Sequence, residues 1–158
     1  MIKWVRKMKD KLAIIGASYL QEPLIERAKE LGYETHVFAW AANDVGEKSA
    51  DYFYPISIIE KEEILDTCRK LGICGICTIA SDLAAVTVNY VADKLGLPGN
   101  SPEASLLASN KFYMRKAFFE SGCPSPKSIR VENVEDLDGI KLTYPIIVKP
   151  LDRSGSRG

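Results

Sequence analysis

"KLAIIGASYLQEPLIERAKELGYETHVFAW", Lys11–Trp40, decides the fold class. It joins a short apolar run, an amphipathic segment and a second apolar run. In the amphipathic segment Leu24, Ile25, Ala28 and Leu31 recur at helical spacing. Pro23 suits a first helical turn and Gly32 the position just past the last one. "YETHVFAW" alternates in character, as a strand does. The reading is strand, helix, strand.

Outward from this stretch the same grammar returns. "YFYPI" leads to "EKEEILDTCRKLG", with Ile64, Leu65, Cys68 and Leu71 on one helical face and Gly72 at the end. "ICGICTIA" reads as the next strand. "LAAVTVNYVADKLG" follows as a helix, with Val88, Val91, Ala92 and Leu95 inward and Gly96 closing it. Alternating strands and helices predict an α/β fold with a Rossmann-like parallel sheet covered on both faces. The short, continuously apolar strands agree, because such sheets are buried on both sides.

Past residue 100 the grammar changes. "NSPEASLLASNKFYMRKAFFESG" reads as two consecutive helices. Pro102 fits a first turn after Ser101, Ser109 or Asn110 caps the second helix, and Gly122 ends it. "CPSPKSIRV" is extended, "ENVEDL" is a turn or two of helix, and "YPIIVKP" is a final buried strand. Residues 1–11 are a short basic leader, 12–100 one domain, and 101–158 the beginning of a second that shows no way to close its core.

The composition bounds the function classes. The 158 residues carry 21 basic and 21 acidic side chains. With charge balanced, no strong field draws the chain toward nucleic acid or a membrane surface. The apolar run at Leu12–Ala17 is too short for a signal peptide, and nothing approaches the ~20 apolar residues of a span. A cytoplasmic protein is expected. "CGIC", Cys74–Cys77, matches C-x-x-C but lies in a strand pattern. Residues three apart on a strand face opposite ways, so the thiols read as core residues rather than a metal or redox pair. Lone His36 reads as structural. Trp40 and Tyr19, near strand ends, line a pocket or form a core rim.

In open parallel sheets ligands bind beyond the carboxyl ends of the strands. Three such ends stand out. "GASYLQE" has Gly16 but not the further glycines of a dinucleotide fingerprint, and "THVFAW" ends without an acid to hold a ribose, so NAD is not expected. Gly16 with Ser18 can receive a small anion at a helix start or can form a tight turn. "SDLAA" puts Asp82 at a helix start, where its carboxylate caps free N–H groups. "KPLDRSGSRG" sets Lys149 at a strand end, with its stem packed near the core and its ammonium able to meet a phosphate. The small-residue loop after it offers backbone N–H groups, hydroxyls and Arg157 to phosphate oxygens. In isolation this end reads equally as a solvated lysine and a flexible turn.

Taken together, "LGLPGNSPEASLLASNKFYMRKAFFESGCPSP" (95–126) and "YPIIVKPLDRSGSRG" (144–158) resemble the ATP-grasp superfamily, in particular its carbamoyl-phosphate-synthase-like and biotin-carboxylase-like ligases. Residues 12–94 are similar to the Rossmann-like preATP-grasp domain that precedes that region. The resemblance implies that Lys149 and Lys111 approach the ATP phosphates. It implies that Ser154, Gly155, Ser156, Arg157 and Gly158 match the loop that folds over them. Arg115 matches a methionine–arginine feature of the motif. Gly16, Ser18 and Asp82 lie on the face that helps bind carboxylate or co-substrate. The implied reaction phosphorylates a small carboxylate with ATP, and an amine or similar nucleophile then displaces the phosphate. Mg²⁺ is implied, with its ligands downstream of residue 158. The chain is expected to be the N-terminal piece of a longer ligase, inactive by itself, and a homodimer is compatible with it. Two rivals differ in class: a non-catalytic binding or regulatory module that keeps the fold, and an oxidoreductase with a degenerate dinucleotide site.

Overall fold

The computed structural model describes residues 9–152. The elements run β1 (Lys11–Ile15), α1 (Glu22–Glu30), β2 (Glu34–Phe38), α2 (Val45–Ser49), β3 (Tyr52–Tyr54), α3 (Lys61–Leu71), β4 (Gly75–Cys77), α4 (Asp82–Leu95), α5 (Pro102–Ser109) and α6 (Lys111–Glu120). A 3₁₀ turn follows at Val134–Leu137. The four strands form one parallel sheet in the order β3-β2-β1-β4. The expected α/β architecture is therefore present. The basic leader lies almost wholly outside the described residues.

The alternation of side chains along β1 sorts the core into two layers. Ile14, with Val37 from β2, packs against Ile25 and Ala28 of α1. Ala13 and Ile15, with Phe38 and Ile76, pack against Ile64, Leu65 and Cys68 of α3 and Ala84, Val91 and Ala92 of α4. Leu31, expected inward, is exposed at the end of α1. Gly72 and Gly96 close α3 and α4 in the left-handed conformation that glycine adopts at no steric cost.

The chain divides into two compact units that part within α5, after Ser105. In the second unit Asn110, rather than Ser109, caps α6: its Oδ1 accepts from the N–H groups of Phe112 at 3.0 Å and Tyr113 at 3.2 Å. No residue from 106 to 152 is buried. The expected final strand is absent: 144–150 has no strand pairing, and Ile147 and Val148 are 86% and 89% exposed. A strand exists only through hydrogen bonds to a neighbour, and no described segment supplies one. Lys149 is accordingly exposed, rather than packed by its stem near a core.

The cysteines also divide. Cys68 is buried and Cys77 half-buried, but Cys74 is exposed, because β4 begins only at Gly75. Burial pushes the Cys68 thiol up to about 12 and the Cys77 thiol up to about 11. Among the described residues no helix is long and apolar enough to cross a membrane.

Candidate functional site

The strand order places a topological switch between β1 and β4. The chain leaves β1 toward β2 and β3, then returns to lay β4 on the other side. Crevices for ligands open at the carboxyl ends of such a pair. Here the crevice is bounded by the β1–α1 loop, Gly16–Gln21, and the β4–α4 loop, Thr78–Ser81.

Gln21 holds the two loops together. Its Oε1 accepts from the Ser18 N–H at 3.1 Å and the Ser18 hydroxyl at 2.7 Å. Its Nε2 donates to the Ile79 carbonyl at 2.5 Å. The Thr78 hydroxyl adds a bond to the Ile15 carbonyl at 2.6 Å. Gly16 has φ +103°, and a Cβ there would meet the Gln21 side chain at 3.0 Å. The backbone conformation favours glycine here, and an added Cβ would press on the bonded Gln21 side chain. The turn reading of Gly16 and Ser18 is correct as local structure, and the turn is tied through Gln21 to the loop after β4.

Asp82 is the first residue of α4, but it is not the cap. Ser81 is: its Oγ accepts from the Ala84 N–H at 3.3 Å. Ser81 stands in extended backbone, as a cap must, whereas Asp82 is already helical and lends only its charge to the first turn.

The loop after β2 forms the third wall. Glu47 accepts from the N–H groups of Ala42 at 2.8 Å and Asp44 at 3.0 Å. These bonds hold its carboxyl below the usual range. Gly46 of α2 donates its N–H to the Ala17 carbonyl at 2.9 Å, and a Cβ there would lie 2.5 Å from that oxygen. Trp40 leaves this wall 74% exposed. It and Tyr19 are therefore rim residues open to solvent, not core.

In the second unit Lys111 opens α6. Its N–H donates to the Leu151 carbonyl at 2.9 Å and its ammonium to the same oxygen at 3.4 Å. The start of α6 is thus bonded to the segment that follows Lys149 by two residues. Arg115 donates to the Ser125 hydroxyl at 3.1 Å. Ser154, Gly155, Ser156, Arg157 and Gly158 lie outside the described residues. His36 is buried, with Nδ1 3.0 Å from the Tyr54 hydroxyl, Nε2 3.0 Å from Glu34 and its ring stacked on Tyr52. That full set of partners is a structural role. Among the described residues no three His, Cys, Asp or Glu side chains converge as a metal site.

No family model matches the chain. A curated relative, the carbamoyl phosphate synthase large chain of Kocuria rhizophila, is 28% identical over 141 residues, which is 82% of this chain and 13% of the relative. The L-amino acid ligase of Bacillus licheniformis superposes with a TM-score of 0.77 at 25% identity, over 92% of this chain and 37% of that one. The phosphoribosylglycinamide synthetase of Anaerococcus prevotii gives 0.71 at 26%, over 85% and 36%. The chain is ATP-grasp-like, and its likeness lies in the N-terminal portion of these ligases. The biotin carboxylase domain of Hydrogenobacter thermophilus 2-oxoglutarate carboxylase, a dimer solved with MgADP, ADP and bicarbonate, shares the fold at 20% identity and a TM-score of 0.60, over 75% of this chain and 29% of that one. This ATP-grasp-like chain thus spans about a third of the length of its structural neighbours.

Sequence reasoning passed over Gln21, Gly46 and Thr78. The segment "NDVGEK" carried a signal for Gly46 and its helix: Asp44 and Glu47 stand at capping-box spacing, and a glycine inside a helix marks close packing. Nothing local marks Gln21 or Thr78, whose partners lie 58 and 63 residues away.

Proposed function

We propose that the chain belongs to an ATP-dependent ligase that activates a small carboxylate as an acylphosphate. In this reading residues 12–100 are the preATP-grasp domain and 101–158 begin the nucleotide-binding domain. The carboxylate attacks the γ-phosphorus of ATP, ADP leaves, and the nucleophile then attacks the acyl carbon and expels inorganic phosphate. Such phosphoryl transfer is mostly positioning and charge neutralisation. Lys111 and Lys149 supply part of the positive charge, and Gly16, Ser18 and Asp82 border the site for carboxylate or co-substrate. Magnesium would supply further charge neutralisation when bound, but the described residues offer no ligand set for it, so no step here is assigned to it. The reading includes a cytoplasmic location and, by analogy with the dimeric biotin carboxylase domain, a homodimer.

The observation that carries the proposal is the Lys111–Leu151 contact, which draws the start of α6 to the segment holding Lys149 in a chain otherwise similar to ligases. Isothermal titration of Mg·ATP into the intact protein tests it. Lys149→Ala should weaken binding by about 1.5–3 kcal/mol, the worth of a charge-assisted contact. Unchanged affinity would remove Lys149 from the nucleotide site.

A further inference from the structure

Gln21 is a buried polar side chain, 4% exposed, that bonds two loops at once. Both hydrogen-bond donors of Ser18, its N–H and its hydroxyl, are spent on Gln21 Oε1. Gln21 Nε2 is spent on the Ile79 carbonyl, 58 positions away. The partners fix the orientation of the carboxamide, because the Ser18 N–H can only donate and the Ile79 carbonyl can only accept. A flipped amide would set donor against donor and acceptor against acceptor.

A carboxamide is planar, so Oε1 and Nε2 move as one body. Swinging Oε1 off Ser18 carries Nε2 off Ile79. A half-made arrangement would leave a buried polar atom without a partner, which costs more than a whole bond contributes. The side chain therefore has two arrangements, both ends bonded or both released. The second loop has a reason to relax on release. Ala80, next to Ile79, stands at φ +57°, a conformation that an alanine keeps only where its surroundings hold it. The start of that loop is tied separately, by the Thr78 hydroxyl on the Ile15 carbonyl, so release is confined to the residues after Thr78.

We infer that Gln21 is a two-ended clasp that makes the loop after β1 and the loop after β4 open together. In the closed arrangement the donors of Ser18 are both taken, and they become available only as Ile79 is released. A carboxylate that took them would thereby free the loop leading into α4. That use of the clasp rests on the proposed ligase reading, whereas the coupling is a property of the fold and is tested without ligand.

The test is amide hydrogen exchange on the ¹⁵N-labelled 158-residue chain. Ala80→Gly removes the cost of the left-handed conformation in one loop and is read at Ser18 in the other. It should slow exchange of the Ser18 amide by about threefold to tenfold. In Gln21→Glu the carboxylate still accepts from Ser18 but cannot donate to Ile79. There Ala80→Gly should leave Ser18 exchange within about twofold. An unmoved Ser18 amide in the first background, or an equal change in both, would overturn the clasp. Should Gln21→Glu fail to fold, Ser18→Ala gives the second reading with Gln21 in place. It removes one donor and should shift the ¹⁵N resonance of Ala80, whose peptide unit carries the Ile79 carbonyl; a stationary Ala80 resonance overturns the clasp. A failed clasp leaves the ligase reading standing, and a chain that does not bind Mg·ATP loses the ligase reading but keeps the clasp.

Discussion

The two units of this chain solve the burial problem differently. Residues 9–105 enclose two apolar layers around a four-stranded sheet, with Ile14, Ile15, Ile25, Val37, Phe38 and Ile64 fully out of water. Residues 106–152 contain helices with sound caps but no buried side chain. Caps and propensity set where a helix starts and stops; they do not supply the apolar area that makes it stable. The first unit has what a domain needs to stand, whereas the second displays Phe119, Ile147 and Val148 to solvent.

The sharpest way to break this contrast is a paired truncation. Ile25→Ala removes a fully buried side chain between α1 and the sheet and should cost roughly 2–5 kcal/mol in urea unfolding. Phe119→Ala, on an 82% exposed ring, should stay within about 0.5 kcal/mol. Comparable losses at the two positions would show that the second unit is buried in solution.

Next in size is Gly46→Ala. The added methyl would press on the Ala17 backbone, which has no rotamer to yield, and overpacking of this kind costs about 1–3 kcal/mol. The amides of Gly16 and Ser18 should shift with it, because Gly46 holds their loop through Ala17. A neutral change would mean that α2 and the β1–α1 loop move independently.

Ser81→Ala should cost about 1 kcal/mol by leaving the Ala84 N–H without its acceptor. Asp82→Asn should cost less, since that residue contributes charge rather than the cap. The reverse order in thermal unfolding would return the capping role to Asp82.

The smallest effect concerns acid. Burial pushes the Asp51 carboxyl up, but the Thr35 N–H and hydroxyl and the Lys29 ammonium outweigh it, and the net direction is down. A depressed carboxyl stabilises the fold above its unfolded value of about 3.9, and that gain is lost as pH falls through the lower folded value. Asp51→Asn should lower stability at pH 6–7 by under ~1 kcal/mol and flatten the fall in urea midpoint below pH 4. A wild-type curve with no extra acid slope relative to the variant would show that the contact contributes nothing.

The strands and helices of the first unit were legible because each declares itself within a dozen residues: Leu24, Ile25 and Ala28 by spacing, Gly72 and Gly96 by conformation. The short α2 was missed because five residues carry too little periodicity, although Asp44 and Glu47 marked its start. "YPIIVKP" misled for the opposite reason. Its apolar run is what a buried strand looks like, yet the described chain gives it no partner. Of the site, Gly16, Ser18 and Asp82 were legible as strand-end and helix-start residues. Gln21, which joins their loops, was not.

The sequence by itself determined the order of the four strands and of α1, α3 and α4 in the first unit, and most of the faces that turn inward, since both follow from the 2.0- and 3.6-residue periods of the backbone. Tertiary structure decided that β4 lies beside β1, that the chain order switches between them, and that Gln21 reaches the Ile79 carbonyl from one loop to the other. Those facts depend on hydrogen bonds between residues some 60 positions apart, and a local pattern carries no information about a partner so distant.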